Sequence, residues 1–383
     1  MRSPSRSQML YLGYFAALGA VTPFMVLFLD QRGMSATEIG MLASAAAGAA
    51  ILPGILWAAW SDRLDRRRPF LVLAFVVQIV VWLLFPAASG FLQFLALYLA
   101  LSILKPPAEG LMNVLVLGRL RTSFRGAGYS KVRIFGSIGW IISTVAVGTL
   151  IPEQRLSLIF LVGSALMAVC VLLPPSGSED SNPVGGIVRP DARMRLIFPF
   201  AAATVTRAIS MGMAYTFLSI YLKGIGTPLS LIGSAWAISA VPEIPMMIFA
   251  GRLSDRIGNV PLLISGFLVS ALMAGAYSVI DDPVIAVPLT ALSGVSFSLT
   301  YISSVNYLAS VTSRGKQATA QSTYIVLSSQ LPRAAGPFIG GLVIDLYGIG
   351  SMFAMAAVLC LGGTAMLLPL LRHRGKSRSH VTT

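Results

Sequence analysis

From Met9 to Leu371 the chain is a succession of apolar runs, each long enough to cross a bilayer's hydrocarbon core, separated by short polar breaks. Few folds tolerate that pattern. In lipid every backbone N–H and C=O must find its partner inside the protein, which leaves α-helices or a closed β-barrel. The alternating in–out segments of a barrel are absent. Charged residues make up 11% of the chain and hydrophobic ones 56%, whereas a soluble domain carries about a quarter charged residues. The expected class is an all-α integral membrane protein with twelve spans: 9–29, 36–60, 69–88, 91–117, 129–151, 156–173, 196–222, 229–251, 260–280, 284–309, 318–344 and 350–371. The polar stretch 174–195 separates 1–173 from 196–371 as a linker, and 372–383 is a basic tail.

The net charge of +14 is distributed unevenly. With the N-terminus inside, only Arg32, Arg155 and Lys223 fall in outward loops, and Lys105, Arg207 and Arg333 fall within spans. All other Lys and Arg face inward. This obeys the positive-inside rule, predicts both termini in the cytoplasm of a plasma (inner) membrane, and accounts for the basic charge without nucleic acid. Arg2 and Arg6 before an apolar run imitate a signal peptide, but the run to Leu29 is too long, so it reads as an uncleaved span. Cys170 and Cys360 lie in apolar runs and read as neither disulfide nor metal ligands. His373 and His380 lie in the tail, leaving no histidine in the spans for catalysis or metal binding.

The chain repeats itself. Leu29, Gly33, Ile39, Gly40, Ser61, Asp62 and Arg63 recur as Leu222, Gly226, Ile232, Gly233, Ser254, Asp255 and Arg256, each 193 residues on. One ungapped diagonal at equivalent places in both halves marks a six-span unit duplicated in parallel. "GRLSDRIG" (251–258) and "SDRLDRRR" (61–68) then resemble the G-x-x-x-D-R-x-G-R-R signature of the major facilitator superfamily, with Ala58 and Asp65 in place of two glycines in the first copy. The resemblance implies two six-helix bundles related by a pseudo-two-fold axis, rocking around a midplane site. It also implies a gating role for Asp62, Arg63, Asp255 and Arg256, whose charge pairs rocking must break. Arg66 to Arg68 serve equally well as anchors at an anionic leaflet.

Charges inside spans are costly and point to function. Lys105 and Glu109 are one turn apart and can pair, and Pro106 and Pro107 between them should disturb the helix. "RIFGSIGW" (133–140) resembles the R-x-F-G-x-x-G-W stretch of lactose-permease-like transporters, which implies sugar binding by Arg133 with an acidic partner, here Glu109, and stacking on Trp140. Packing is the alternative role for Trp140. Glu243, between Pro242 and Pro245, lies in a Glu-Ile-Pro-x-Met string similar to sugar efflux transporters and the phenylpropionate and nucleoside permeases. A carboxyl group in low dielectric can load and release a proton near neutral pH, which suits coupling by Glu243 or Glu109. A structural carboxylate bonded to Arg333 or a tyrosine is the alternative. Arg207 and Arg333 complete the candidate substrate-binding set of Lys105, Glu109, Arg133, Trp140, Arg207 and Arg333. Its cationic surplus keeps a carboxylate substrate in play beside a sugar. Gly336 and Gly340 read as close helix packing.

The expected function is secondary active transport of a small polar organic solute, sugar-like by preference, driven by a proton gradient with no cofactor or metal. The partners are that solute and the lipid bilayer, with one chain as the functional unit. Efflux antiport of sugars or drugs and uptake of an aromatic carboxylate stay open. Outside transport, a receptor on this fold would be expected to carry a large signalling tail, and none is seen. An enzyme would need a nucleophile–base pair, and ATP hydrolysis a Walker motif; the sequence offers neither.

Overall fold

A computed structural model describes residues 5–53, 56–57, 60, 67–119, 125–173, 194–311 and 331–372. Their regular structure is helical, with no strand among the described residues. The helices are α1 (Arg6–Gln31), α2 (Ala36–Ala49), α3 (Arg67–Leu84), α4 (Phe91–Arg119), α5 (Arg125–Leu150), α6 (Leu158–Val171), α7 (Met194–Gly224), α8 (Leu229–Ala240), α9 (Glu243–Ile257), α10 (Asn259–Tyr277), α11 (Pro283–Leu289), α12 (Ala291–Val311), α13 (Leu331–Tyr347) and α14 (Ile349–Arg372). Nine segments among the described residues are long and apolar enough to cross a membrane; Leu229–Ile257 and Pro283–Leu308 are each counted as one, although each is broken into two helices. The shorter apolar helices Leu158–Val171 and Ala334–Tyr347, together with α7, fill the remaining places in the twelve-span order.

Local sequence sets the helix ends. Ser5 and Ser35 cap α1 and α2 by accepting from the N–H of Gln8 and Glu38, whose side chains return the bond to the cap N–H. These capping boxes satisfy donors that no helix can satisfy for itself. The turns that end α1 and α7 are the same turn. Gly33 and Gly226 have φ of 77° and 81°. Their N–H groups bond the carbonyls of Asp30 and Lys223 at 2.9 Å, and the next N–H reaches Leu29 at 3.2 Å and Leu222 at 3.0 Å. Positive φ selects glycine, so the duplicated glycine has a conformational cause. The following helices begin at Ala36 and Leu229, again 193 residues apart.

The repeat extends into the core. Phe28 meets Phe160 edge-on at 4.9 Å, and Tyr221 meets Phe353 edge-on at 5.0 Å. Each residue of the second pair lies 193 beyond its counterpart. The phenyl-to-tyrosyl change hides this from a count of identities.

Two compact units form: Met1–Pro183 with Leu222–Ala237, and Val184–Tyr221 with Ile238–Thr383. They depart from the division at 1–173 and 196–371 in one stretch. Leu222–Ala237 belongs by repeat to the second half, yet it packs with the first unit. The cause is a close approach of α8 to α5. A Cβ at Gly233 would collide with the Thr144 carbonyl oxygen, and one at Gly148 would lie 2.7 Å from the Leu229 carbonyl oxygen. Within the second unit α13 approaches α7 in the expected way, since a Cβ at Gly336 would lie 2.5 Å from the Ile209 carbonyl oxygen.

Candidate functional site

In the first unit, a short aromatic segment of α1 lies against the predicted charges. The Arg133 guanidinium on α5 lies over the Phe15 ring, 4.5 Å from its centroid. That is cation–π distance, and it holds the cation without neutralising it. Tyr11 donates its hydroxyl hydrogen to Asn113 Oδ1 on α4. Asn113 is one turn beyond Glu109 on the same helix. Glu109 is exposed and Arg133 half-buried. The segment Tyr11–Phe15 thus brings the acidic and basic candidates onto one region of the unit. The sequence reading had no reason to single out Tyr11 or Phe15, because aromatics in an apolar run look like core.

Trp140, two turns beyond Arg133, lies 6.3 Å from Trp236 at 69°. Packing therefore uses at least part of its ring. α4 runs from Phe91 to Arg119 as one helix, so the disturbance expected at Pro106–Pro107 does not break it. Spanning helices tolerate proline when their neighbours re-satisfy the freed carbonyls. The Lys105 side chain lies outside the described residues, as do Asp62 and Arg63 and the side chain of Arg333, whose backbone is in the first turn of α13.

In the second unit the eighth span is interrupted as its prolines predict. α8 ends at Ala240 and α9 begins at Glu243 with Pro242 as its N-cap. α12 presses on this break: the Ser298 hydroxyl donates to the Glu243 carbonyl at 3.1 Å, and a Cβ at Gly294 would collide with the Ser239 carbonyl. Beside these contacts Phe297 and Tyr301 stack at 5.6 Å and 18°, with 38% and 46% of their surfaces exposed. Glu243 itself is half-buried and engaged.

Arg207 takes a different place. Its Nε donates to Ser270 Oγ at 3.1 Å and Nη2 to Ser296 Oγ at 2.9 Å, and its guanidinium lies 5.6 Å from the Phe267 centroid. Both serines are fully buried, bond each other, and bond the Gly266 carbonyl. Arg207 so ties α7 to α10 and α12. Among the described residues it contacts no carboxylate. Nothing in the sequence marks Ser270 and Ser296, because serine in an apolar run carries no directional signal.

Asp255 and Arg256 are exposed on the last turn of α9. Gly258 follows with φ 86° and ψ 169°, a conformation open essentially to glycine alone. Ser254 donates to Asn259 Oδ1 and accepts from Asn306 Nδ2 at 3.2 Å, which fixes the ends of α9, α10 and α12 together. By contrast a Cβ at Gly251 meets nothing within 4 Å. No group of three or more His, Cys, Asp or Glu suited to a metal ion occurs among the described residues.

Comparison with known proteins decides the family. A model described as the MFS_1 like family matches residues 5–355. The chain belongs to this family. Curated relatives of this MFS_1-like protein include the maltose permease of Geobacillus stearothermophilus, 25% identical over 369 residues that cover 94% of this chain and 93% of the permease. The multidrug resistance protein MdtG of Salmonella typhimurium is 24% identical, covering 91% and 90%. Among solved structures, the nucleoside transporter NupG superposes with a TM-score of 0.82 at 18% identity, covering 94% of this chain and 98% of that one. A D-xylose–proton symporter gives 0.69 at 13%, covering 94% and 95%. At such identities the superpositions speak for the fold. The MFS_1-like chain is a multi-pass membrane protein and a secondary transporter of a small-molecule solute.

Proposed function

We propose that this transporter moves a sugar-like solute by proton-coupled alternating access. The observation that carries the reading is the gathering of Glu109, Asn113 and Arg133 around Tyr11–Phe15. A carboxylate and an amide on α4 and a guanidinium on α5, which among the described residues rests on a ring and not on a carboxylate, are the groups that hydroxyl-rich solutes require. The maltose permease, nucleoside transporter and xylose symporter among the similar proteins support the same substrate class. In this reading Glu109 and Arg133 hold the solute, and Trp140, Lys105 and Arg333 are further candidates for contact with it. Glu243, at a break in its span, carries the coupling proton, and no cofactor takes part. Arg207 acts through its serines as a positioning residue. Asp62, Arg63, Asp255 and Arg256 gate the cytoplasmic side. The Lys and Arg distribution supports cytoplasmic termini in a plasma (inner) membrane. One chain supplies both repeats, which supports a functional monomer. MdtG favours a second reading, proton-antiport efflux on the same residues.

The test is proton movement in proteoliposomes that enclose a pH-sensitive dye, with sugars, nucleosides and carboxylates added in turn. A substrate-evoked pH change that disappears in Glu243→Gln supports coupling through that residue. Labelled solute that crosses without any proton signal refutes coupling. Sugars that neither cross nor compete, in folded protein that exports a drug, shift the reading to efflux.

A further inference from the structure

The stretch Leu222–Ala237 leaves the second unit and returns to it, and in between it is a strap on the first. It is anchored at three levels. The Lys223 ammonium pairs with the Glu153 carboxylate, and the Glu153 carbonyl accepts from Gln31 Nε2 at 3.1 Å. Farther along, the backbones meet at Gly233 and Gly148, and then Trp236 meets Trp140. Lys223 also acts electrostatically on Asp30. Asp30 and Lys223 are repeat equivalents, 193 residues apart, each accepting the glycine N–H in the same turn. A duplication begins with identical residues at both places, and like charges there would repel. This chain carries opposite ones.

We propose that Glu153 and Lys223 form an electrostatic latch on the strap, and that its release opens the Gln31 end of the protein during transport. By the charge distribution, that end is the outer one. The contacts suit repeated opening. The Lys223 and Glu153 side chains are 35% and 40% exposed, so water and salt compete for them. At Gly233 and Gly148 the nearest neighbours are backbone atoms, so this contact can part without a rotamer change of its own. The Arg207 network, between fully buried serines, has neither property.

A reporter thiol tests the latch. Leu229 is buried on the strap, and its carbonyl faces Gly148. Cys170 and Cys360 are buried as well, so the unaltered chain supplies the blank. The rate at which a membrane-impermeant maleimide labels Leu229→Cys from outside measures release. Adding Lys223→Gln should speed labelling about 1.5- to 5-fold at low salt, the range for a partly exposed ion pair, and Lys223→Arg should leave it slow. Raising salt from roughly 50 to 500 mM should speed the chain that keeps Lys223 and leave Lys223→Gln unchanged, because screening acts only where the pair exists. Equal rates with Lys223 and Lys223→Gln, or equal salt responses, would overturn the latch. The salt series on Leu229→Cys alone needs no variant of the charged residues, so the outcome does not depend on how those variants fold.

Discussion

Removing the serines that hold Arg207 separates a positioning role from a binding one. Ser296→Ala deletes the 2.9 Å bond from Arg207 Nη2, the bond to Ser270 and the 3.0 Å bond to the Gly266 carbonyl. A hydrogen bond to a charged group contributes about 1.5–3 kcal/mol, and a buried donor left unsatisfied costs about 1–3 kcal/mol. These terms overlap, so a loss of about 2 kcal/mol is expected. Ser270→Ala removes the 3.1 Å bond to Nε and should cost a similar amount. The two serines share partners, so the double variant should cost less than the sum of the singles. For a cooperative unit of about this size, 1 kcal/mol moves Tm by roughly 2–4 °C. Each single variant should therefore lower the Tm of purified protein by about 4–8 °C, read by fluorescence-detected size exclusion after heating. Transport by the surviving folded protein should show a lowered kcat at near-normal KM. An unchanged Tm with a KM raised tenfold would refute the positioning role and return Arg207 to the substrate.

Gly258→Ala should destabilise by about 1–3 kcal/mol, because the turn at φ 86° is strained for any side chain; Gly251→Ala, where a Cβ meets nothing, should be neutral in the same melt. Tyr11→Phe removes the hydroxyl donor to Asn113 Oδ1 and should raise the KM for solute severalfold with Tm lowered by no more than a few degrees, since one neutral hydrogen bond is worth about 1 kcal/mol. Phe297→Leu breaks the stack with Tyr301 on an exposed face. If that pair contacts a sugar ring, uptake of a ring-bearing solute should weaken more than that of an open-chain polyol, measured with labelled solutes.

Much of the fold was legible because its signals are linear. A bilayer imposes a length on each span, so apolar runs locate the helices, and Pro242, which has no N–H to continue a helix, stands where α8 and α9 part. The repeat was legible where identity survived, at Gly33 and Gly226, because positive φ leaves no other good choice. It was hidden where packing outlived identity, as at Phe28 and Tyr221, although their partners Phe160 and Phe353 are the same residue type. Pro106 and Pro107 do not end α4, because a proline's effect depends on neighbours that the sequence does not show. Arg207 was recognised as a buried charge, but its serine partners were not. The strap had no signal at all: among its anchors on the first unit are Gly148 and Gly233, two glycines 85 residues apart that only the folded chain brings together.

The strap also has a bearing on how the protein is made. The first unit is not complete when its own contiguous stretch, ending at Pro183, has left the ribosome; it still lacks the segment that ends at Ala237. At synthesis rates of about 5–20 residues per second, the gap between those two points is roughly 3–11 s. For that interval Glu153 waits in the nascent protein without its lysine, and the groove at Gly148 lies uncovered in the bilayer. Insertion machinery that releases spans in pairs would have to shelter this half-built unit, and a gene split at the linker would yield a first product that cannot close on itself.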